Sequence, residues 1–260
     1  MAAQRVIVRC KERGRNRYFM MKKNDFCRIV NWYPVLGEHS AFTAFLKLSD
    51  AEIKLLADGV KKGPETAGVI KRLRKVMRSG AFDCYFVSCD CCAPTDTERF
   101  AAKRGAVHSA ESAWFFLASS DKVRTAAANG DVEYLVLRPF IKIDRTREFR
   151  LFIKDGELKA MSQYNLVRHF RRLEGIKEKL WKNTLKWFNT VKKDLPVSDV
   201  VIDVYLENDD KVVKIVDLNP WGGDTAPLLL RTFDQDWSGV SGIKLMLPPT
   251  KISGDVAVSF

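Results

Sequence analysis

The chain has 260 residues, 46% of them hydrophobic and 29% charged, a composition that excludes global disorder. That length can build one large domain or two small lobes without disulfide or metal staples, and no further domain is expected. Met1 to Arg5 lack an apolar signal core, and the longest uncharged apolar run, near Ala113 to Ser119, is too short to cross a bilayer, so a non-secreted, non-membrane, cytoplasmic chain is expected.

Lys and Arg number 44 against 32 Asp and Glu, a net charge of +12. Two segments carry it. Residues 1–28 hold nine basic side chains against Glu12 and Asp25, and residues 165–194 hold nine against Glu174, Glu178 and Asp194. They read either as a footprint for nucleic acid or an acidic protein tail, or as solvated faces. No RNA-recognition motif, zinc finger or Gly-rich tract supports the nucleic-acid reading. Cys84, Cys89, Cys91 and Cys92 invite a zinc site, but adjacent Cys91 and Cys92 point to opposite sides of an extended chain, and free thiols are expected.

No repeat of 20–50 residues occurs. Ser49 to Gly59 reads as a capped helix, with Glu52 three residues after Ser49 and Gly59 closing it. After Gly63-Pro64, a second helix is expected from about Glu65 to Arg78, with Val69, Leu73 and Val76 on one face. Cys84 to Val87 reads as a short strand, Glu111 to Ser119 as an apolar run, and Tyr134 to Ile143 as a β-rich one. The first half is therefore mixed α and β.

Glu148 to Lys154 and Glu157 to Tyr164 flank Asp155-Gly156, a dipeptide suited to a type I′ hairpin turn. A two-residue loop places Glu148 opposite Gln163 and Arg150 opposite Met161, with Glu148, Arg150 and Phe152 on one face. A basic amphipathic helix is expected from about Leu166 to Lys193, ended by Pro196, with Trp181, Trp187 and Phe188 available as partner anchors or as core.

A second hairpin follows, Val200 to Leu206 and Lys211 to Asn219. Asp217 and Asn219 alternate in phase with Val213 and Ile215, and a turn centred near Asp210 brings Asp203 opposite Asp217. Paired carboxylates repel unless a cation or shared proton relieves them, so Asp203, Asp217 and Asn219 read as ligands of Mg²⁺. The plainer alternative is a hairpin edge with acids at its rim.

Trp32-Tyr33-Pro34, Ala57-Asp58-Gly59, Phe86 with Ala93-Pro94 and Asp96, Ser119-Ser120-Asp121, Leu135 to Arg138, Glu148-Phe149-Arg150, Ser162-Gln163, Asp203-Val204-Tyr205 and Asp217 to Pro220 occur in that order. Over about residues 30–250 the pattern resembles the cell division cycle protein 123 family. The resemblance implies an α+β, two-lobed ATP-grasp-like fold with mainly antiparallel sheets, binding ATP with Mg²⁺, in an assembly chaperone for the gamma subunit of eukaryotic translation initiation factor 2. It divides the chain into a basic leader (1–28), an N-terminal α+β lobe (29–133), a C-terminal ATP-grasp lobe (134–250) and a tail (251–260). It further implies that Val136, Leu137 and Arg138 offer backbone and apolar contacts to adenine, that Arg150 faces the phosphates, and that Gln163 lines the site.

Two departures stand out. Val87-Ser88 and Leu117-Ala118-Ser119-Ser120 lack lysines that the pattern carries, and each phosphate-facing lysine typically contributes about 1.5–3 kcal/mol. Lys142, Lys159 and Arg147 are the candidates to replace them. Two competing functions are an ATP-dependent carboxylate-amine ligase, on fold analogy, and a degenerate scaffold that binds protein or RNA through the basic segments.

Overall fold

The computed structural model of the protein describes residues 5–12, 15–22, 25–207, 210, 212–252 and 256–258, with side chains for 25–207, 210 and 212–249. In chain order its elements are β1 (Arg5–Glu12), β2 (Arg15–Lys22), α1 (Ile29–Leu36), β3 (Ala44–Lys47), α2 (Asp50–Ala57), α3 (Ala67–Gly80) and β4 (Tyr85–Cys89). There follow α4 (Glu98–Lys103), α5 (Ala110–Ala118), α6 (Asp121–Ala128), β5 (Tyr134–Pro139), β6 (Glu148–Lys154), β7 (Glu157–Gln163) and α7 (Arg171–Val191). The chain ends with β8 (Val200–Glu207), β9 (Val212–Pro220), β10 (Gly242–Lys244), β11 (Thr250–Ile252) and β12 (Val256–Val258).

Arg28–Val30 and Ala41–Lys142 form one compact unit, and the rest of the described chain forms a second. The lobe boundary expected after residue 133 falls at Lys142 because β5 is the central strand of the first unit's sheet, order β3-β5-β4, antiparallel throughout. The basic leader is not a separate appendage either, since β1 and β2 form an antiparallel hairpin assigned to the second unit.

Helices cover the sheet of the first unit through Leu56, Leu73, Trp114, Phe116 and Leu117, all at most 1% exposed. Ser49 and Glu52 make the expected capping box on α2, the Glu52 carboxylate accepting from the Ser49 N–H at 2.8 Å. A 3-10 turn over Pro64–Thr66 delays α3 to Ala67, and its inward residues are Val69, Leu73 and Met77, four apart. Val76 is only partly buried, because a step of three from Leu73 rotates it off the inward line. Asp90 is the unit's buried anchor, pairing with Arg28 and accepting the N–H groups of Glu133 (3.2 Å) and Tyr134 (3.3 Å). Next to it the Cys91 and Cys92 sulfurs lie 3.9 Å apart. Their mutual hydrogen bond and burial push Cys91 up, and a bond to Cys89 leads in pushing Cys92 up to about 12.

The second unit is built on a five-stranded sheet, order β10-β7-β6-β8-β9, antiparallel except where β10 joins β7. Asp155 (φ 54°) and Gly156 (φ 74°) both take the left-handed conformation that the hairpin turn requires. The register differs from the simple two-residue hairpin. Ile153 pairs with Leu158 but Phe152 with Ala160, so Lys159 is bulged out and Arg150 faces Ser162 rather than Met161, while Gln163 faces Phe149 rather than Glu148. The β8–β9 hairpin pairs Glu207 with Val212, one residue short of a turn centred at Asp210, and a second bulge at Val216 restores the expected Asp203–Asp217 pair. That bulge also breaks the alternation of β9. Val213 and Ile215 are buried whereas Asp217 is exposed, so Asp217 and Asn219 do not share a face with them as the sequence pattern suggested.

The basic helix α7 begins at Arg171 rather than near Leu166, because the Gln163 amide holds the carbonyls of Asn165 (2.6 Å) and Arg168 (3.1 Å) in a non-helical turn. Leu173, Leu180, Phe188 and Val191 face the core, so Phe188 is packing rather than a partner anchor. Trp187 is half-buried with its ring edge-on to His39 at 6.1 Å.

Asp96 and Ser120 illustrate how motif residues serve the fold. The Ser120 hydroxyl, N-cap of α6, donates to Asp96 at 2.6 Å and accepts the Val123 N–H, and Asp96 also accepts the Lys122 N–H at 3.0 Å. Burial raises the Asp96 pKa, but the Ser120 and backbone hydrogen bonds outweigh it and hold the carboxyl below its ordinary value of 3.8. A depressed native pKa contributes stability above the unfolded value that is lost as pH falls through the native one. Asp96→Asn should therefore flatten the acid limb below about pH 4 and lower stability at neutral pH by about 0.5–1 kcal/mol, since the group is exposed and screened. Urea midpoints from about pH 3 to pH 7 measure both effects.

Candidate functional site

The two bulges assemble one cross-strand row on the second sheet. Ser162 of β7 stands beside Arg150 of β6, Arg150 beside Asp203 of β8, and Asp203 beside Asp217 of β9. Directly paired residues project to the same face, so a serine, a guanidinium and two carboxylates share one line. The adjacent row on that face is apolar, with Ala160, Phe152 and Val201 leading to Asn219. Trp221, Phe233 and Trp237 cover it, the Trp237 ring stacked on Phe152 at 6.1 Å.

Arg150 and Asp203 are each 6% exposed and make a bidentate pair, Nε to Oδ1 at 2.7 Å and Nη2 to Oδ2 at 2.8 Å. The guanidinium also donates from Nη1 to the Ala226 carbonyl at 2.8 Å and lies over the Tyr164 ring at 5.3 Å. It is thus a structural tie across β6, β8 and the covering segment. Burial lowers the Arg150 pKa, but the Asp203 bond and charge overcome that and raise it above its ordinary value. Tyr164 is pushed up to about 12, chiefly by burial and then by the Asp203 charge, so it stays a neutral phenol.

The Asn219 amide nitrogen donates to Asp203 Oδ2 at 3.0 Å, which leaves the Asn219 carbonyl oxygen turned away from that carboxylate. Asp217 is exposed, accepts the Leu218 N–H at 3.0 Å, and adds its charge to partial burial in raising the Cys27 thiol. Asp203, Asp217 and Asn219 therefore do come together, through the bulge at Val216 and not by unbroken alternation along β9. Three of about four lone-pair positions on Asp203 are taken by Arg150 and Asn219. Among the described residues no group of three His, Cys, Asp or Glu suits a metal ion. The donor set fits a hard cation that brings phosphate and water ligands with it, rather than an ion caged by protein alone.

The other expected site residues are placed differently. Gln163 belongs to the opposite face from Arg150 and is 1% exposed, its amide nitrogen bonded to two carbonyls and its oxygen accepting the Met246 N–H at 3.2 Å. It locks backbone. Val136 and Leu137 are buried in β5 with β3 on one side and β4 on the other, so their backbone groups are used inside the sheet rather than offered to a base. Arg138 lies one residue past the β3 pairing and donates to the Thr43 hydroxyl at 3.2 Å. Arg147 is drawn to Asp210 at 3.8 Å and Asp144 at 3.9 Å, and Lys159 is the bulged residue of β7. Tyr164 and the Ala226 carbonyl were not anticipated; the aromatic residue just past the end of β7 was the available signal for the first.

The D123 family profile matches residues 94–236, more than half of the chain, and the chain belongs to that family. Among curated relatives, the "Translation initiation factor eIF2 assembly protein" of Aspergillus fumigatus is 32% identical over 111 residues, 42% of this chain and 26% of that protein. "Cell division cycle protein 123" of Phaeosphaeria nodorum is 35% identical over 97 residues, 37% of this chain and 25% of that protein. The aligned segments thus span about a quarter of the length of these relatives. The C-terminally truncated Cdc123 of Schizosaccharomyces pombe superposes with a TM-score of 0.71 at 19% identity, covering 84% of this chain and 94% of that one. The fold is that of Cdc123, in the α+β, mainly antiparallel class expected.

The burial of the Arg150–Asp203 pair sets a stability prediction. Arg150→Ala strands a buried carboxylate and should cost about 3–5 kcal/mol, whereas Arg150→Met combined with Asp203→Leu should recover most of it. Equal losses in the two proteins on chemical denaturation would show that the pair is not the tie described.

Proposed function

We propose that this protein is an assembly factor for eukaryotic translation initiation factor 2, acting in the cytoplasm on the gamma subunit and binding ATP with Mg²⁺ on an ATP-grasp-like scaffold. The observation that carries the reading is that the row from Ser162 to Asp217, with Asn219, lies wholly inside the segment matched to the D123 family, several of whose members are called eIF2 assembly proteins.

In this reading Asp217, the Asn219 carbonyl oxygen and the remaining lone pair of Asp203 hold the ion. Mg²⁺ would supply neutralisation of phosphate charge when bound. Arg150 fixes Asp203 by bidentate pairing, and the Asn219–Asp203 bond orients the amide so that its oxygen, not its nitrogen, is presented. The aromatic cover formed by Trp221, Phe233 and Trp237 shields the neighbouring row from water.

Asp217→Asn should weaken Mg-ATP about ten-fold while changing metal-free ATP much less, read by calorimetric titration with and without Mg²⁺. Unchanged Mg-ATP affinity would remove Asp217 from the site. The partner is tested separately: the tagged, folded protein should recover the gamma subunit of the initiation factor from a eukaryotic lysate, and repeated recovery of none would refute the assembly role.

A further inference from the structure

A recess of about 390 Å³ in the first unit lies outside the polar row, lined by Lys61, Lys62, Ala67, Ile70, Arg74 and Phe115 among others. Its walls are fixed. The α5 residue Trp114, fully buried, donates its indole N–H to the Val60 carbonyl at 2.8 Å, and Thr66 holds the Gly63 carbonyl through its N–H (3.2 Å) and hydroxyl (2.8 Å). The loop carrying Lys61 and Lys62 is therefore pinned at both ends. Phe115, next on α5, turns outward and is 39% exposed, and both ammonium groups sit over its ring, at 5.5 and 5.7 Å from the centroid.

Two like charges converge on one ring face region, yet neither lysine has a carboxylate within ion-pair reach among the described residues. Cation–π attraction alone is modest at an exposed site. Beside them Arg74 is already paired with Glu111, whose carboxylate sits on the recess wall. Ile70, Ala67 and the Phe115 ring give the interior an apolar lining, and the volume lies at the low end of ligand pockets, room for a side chain or two.

We propose that this recess docks an acidic peptide segment of a partner protein, one apolar side chain entering between Ile70 and Phe115 while flanking carboxylates pair with Lys61 and Lys62. A nucleic-acid backbone fits less well. It needs a continuing track of cations, whereas here the third cation is neutralised and Glu111 would oppose a phosphate. The surface is independent of the nucleotide reading, since it shares no residue with the polar row.

The test uses the full chain and a fluorescein-labelled peptide with one phenylalanine flanked on each side by three glutamates, followed by anisotropy. Lys61→Glu with Lys62→Glu should weaken binding at least about ten-fold and Phe115→Ala several-fold, while Lys177→Glu with Lys179→Glu, the same charge change on exposed α7, should leave it within about two-fold. All the substituted side chains are exposed or nearly so, and unchanged thermal midpoints confirm folding. Equal weakening by the α7 variant would mean bulk charge and overturn the proposal. So would no measurable binding by the unsubstituted chain, undiminished binding of a peptide with glutamine for glutamate, or full displacement by a single-stranded oligonucleotide of equal charge.

Discussion

The buried Arg150–Asp203 pair is the constraint around which the second unit is arranged. Two ions removed from water to 6% exposure need close hydrogen-bonded partners to be tolerated, and the guanidinium has them in Asp203 and the Ala226 carbonyl while Asn219 adds a donor to the carboxylate. These partners come from β6, β8, β9 and the segment after β9. A slip of any strand by one residue would turn one ion to the other face and leave its partner buried alone. The pair therefore specifies register as much as it contributes affinity between strands.

Both bulges are best understood from that requirement. Were Lys159 paired with Phe152 instead of bulged out, Met161 would stand beside Arg150 in place of Ser162, and the hydroxyl that accepts the Leu229 N–H at 3.3 Å would be displaced from the row. Were Val216 paired with Asp203 instead of bulged out, Asp217 would slide off its position opposite Asp203. Bulges concentrate near functional sites because they re-aim side chains without changing the overall pairing. Here they convert an ordinary alternating sheet into one with a continuous polar line beside an aromatic-covered apolar one.

Local chemistry made much of this readable in the sequence. The Asp155-Gly156 turn and the Ser49–Glu52 capping box follow from residue type and spacing over a few positions, whereas the Asp203–Asp217 pairing arises because the bulge at Val216 offsets a hairpin one residue tighter than the sequence suggests. The features that escaped depend on distant partners. β5 belongs with β3 and β4 because of pairing to residues 44–47 and 85–89, which its own β-rich sequence does not announce. Gln163 reads as a polar site residue until its amide nitrogen is seen to be spent on the carbonyls of Asn165 and Arg168 and its oxygen on the Met246 N–H. One of the two positions where the pattern carries a lysine is also clearer in context: Ala118 is fully buried in the core of the first unit.

The net charge of +12 bears on what selectivity can rest upon. A chain this basic attracts any polyanion, and exposed charges mainly speed encounter and lose strength with salt. Lys61 and Lys62 add to that background without distinguishing an acidic peptide from another polyanion. Discrimination must come from the part of the surface that a uniform charge cannot supply, the apolar step between Ile70 and Phe115 and the carboxylate of Glu111 at the wall. An apolar anchor contributes only to a ligand with a matching side chain at the right spacing, and a fixed negative group penalises phosphate more than it penalises a peptide whose charges can be placed away from it.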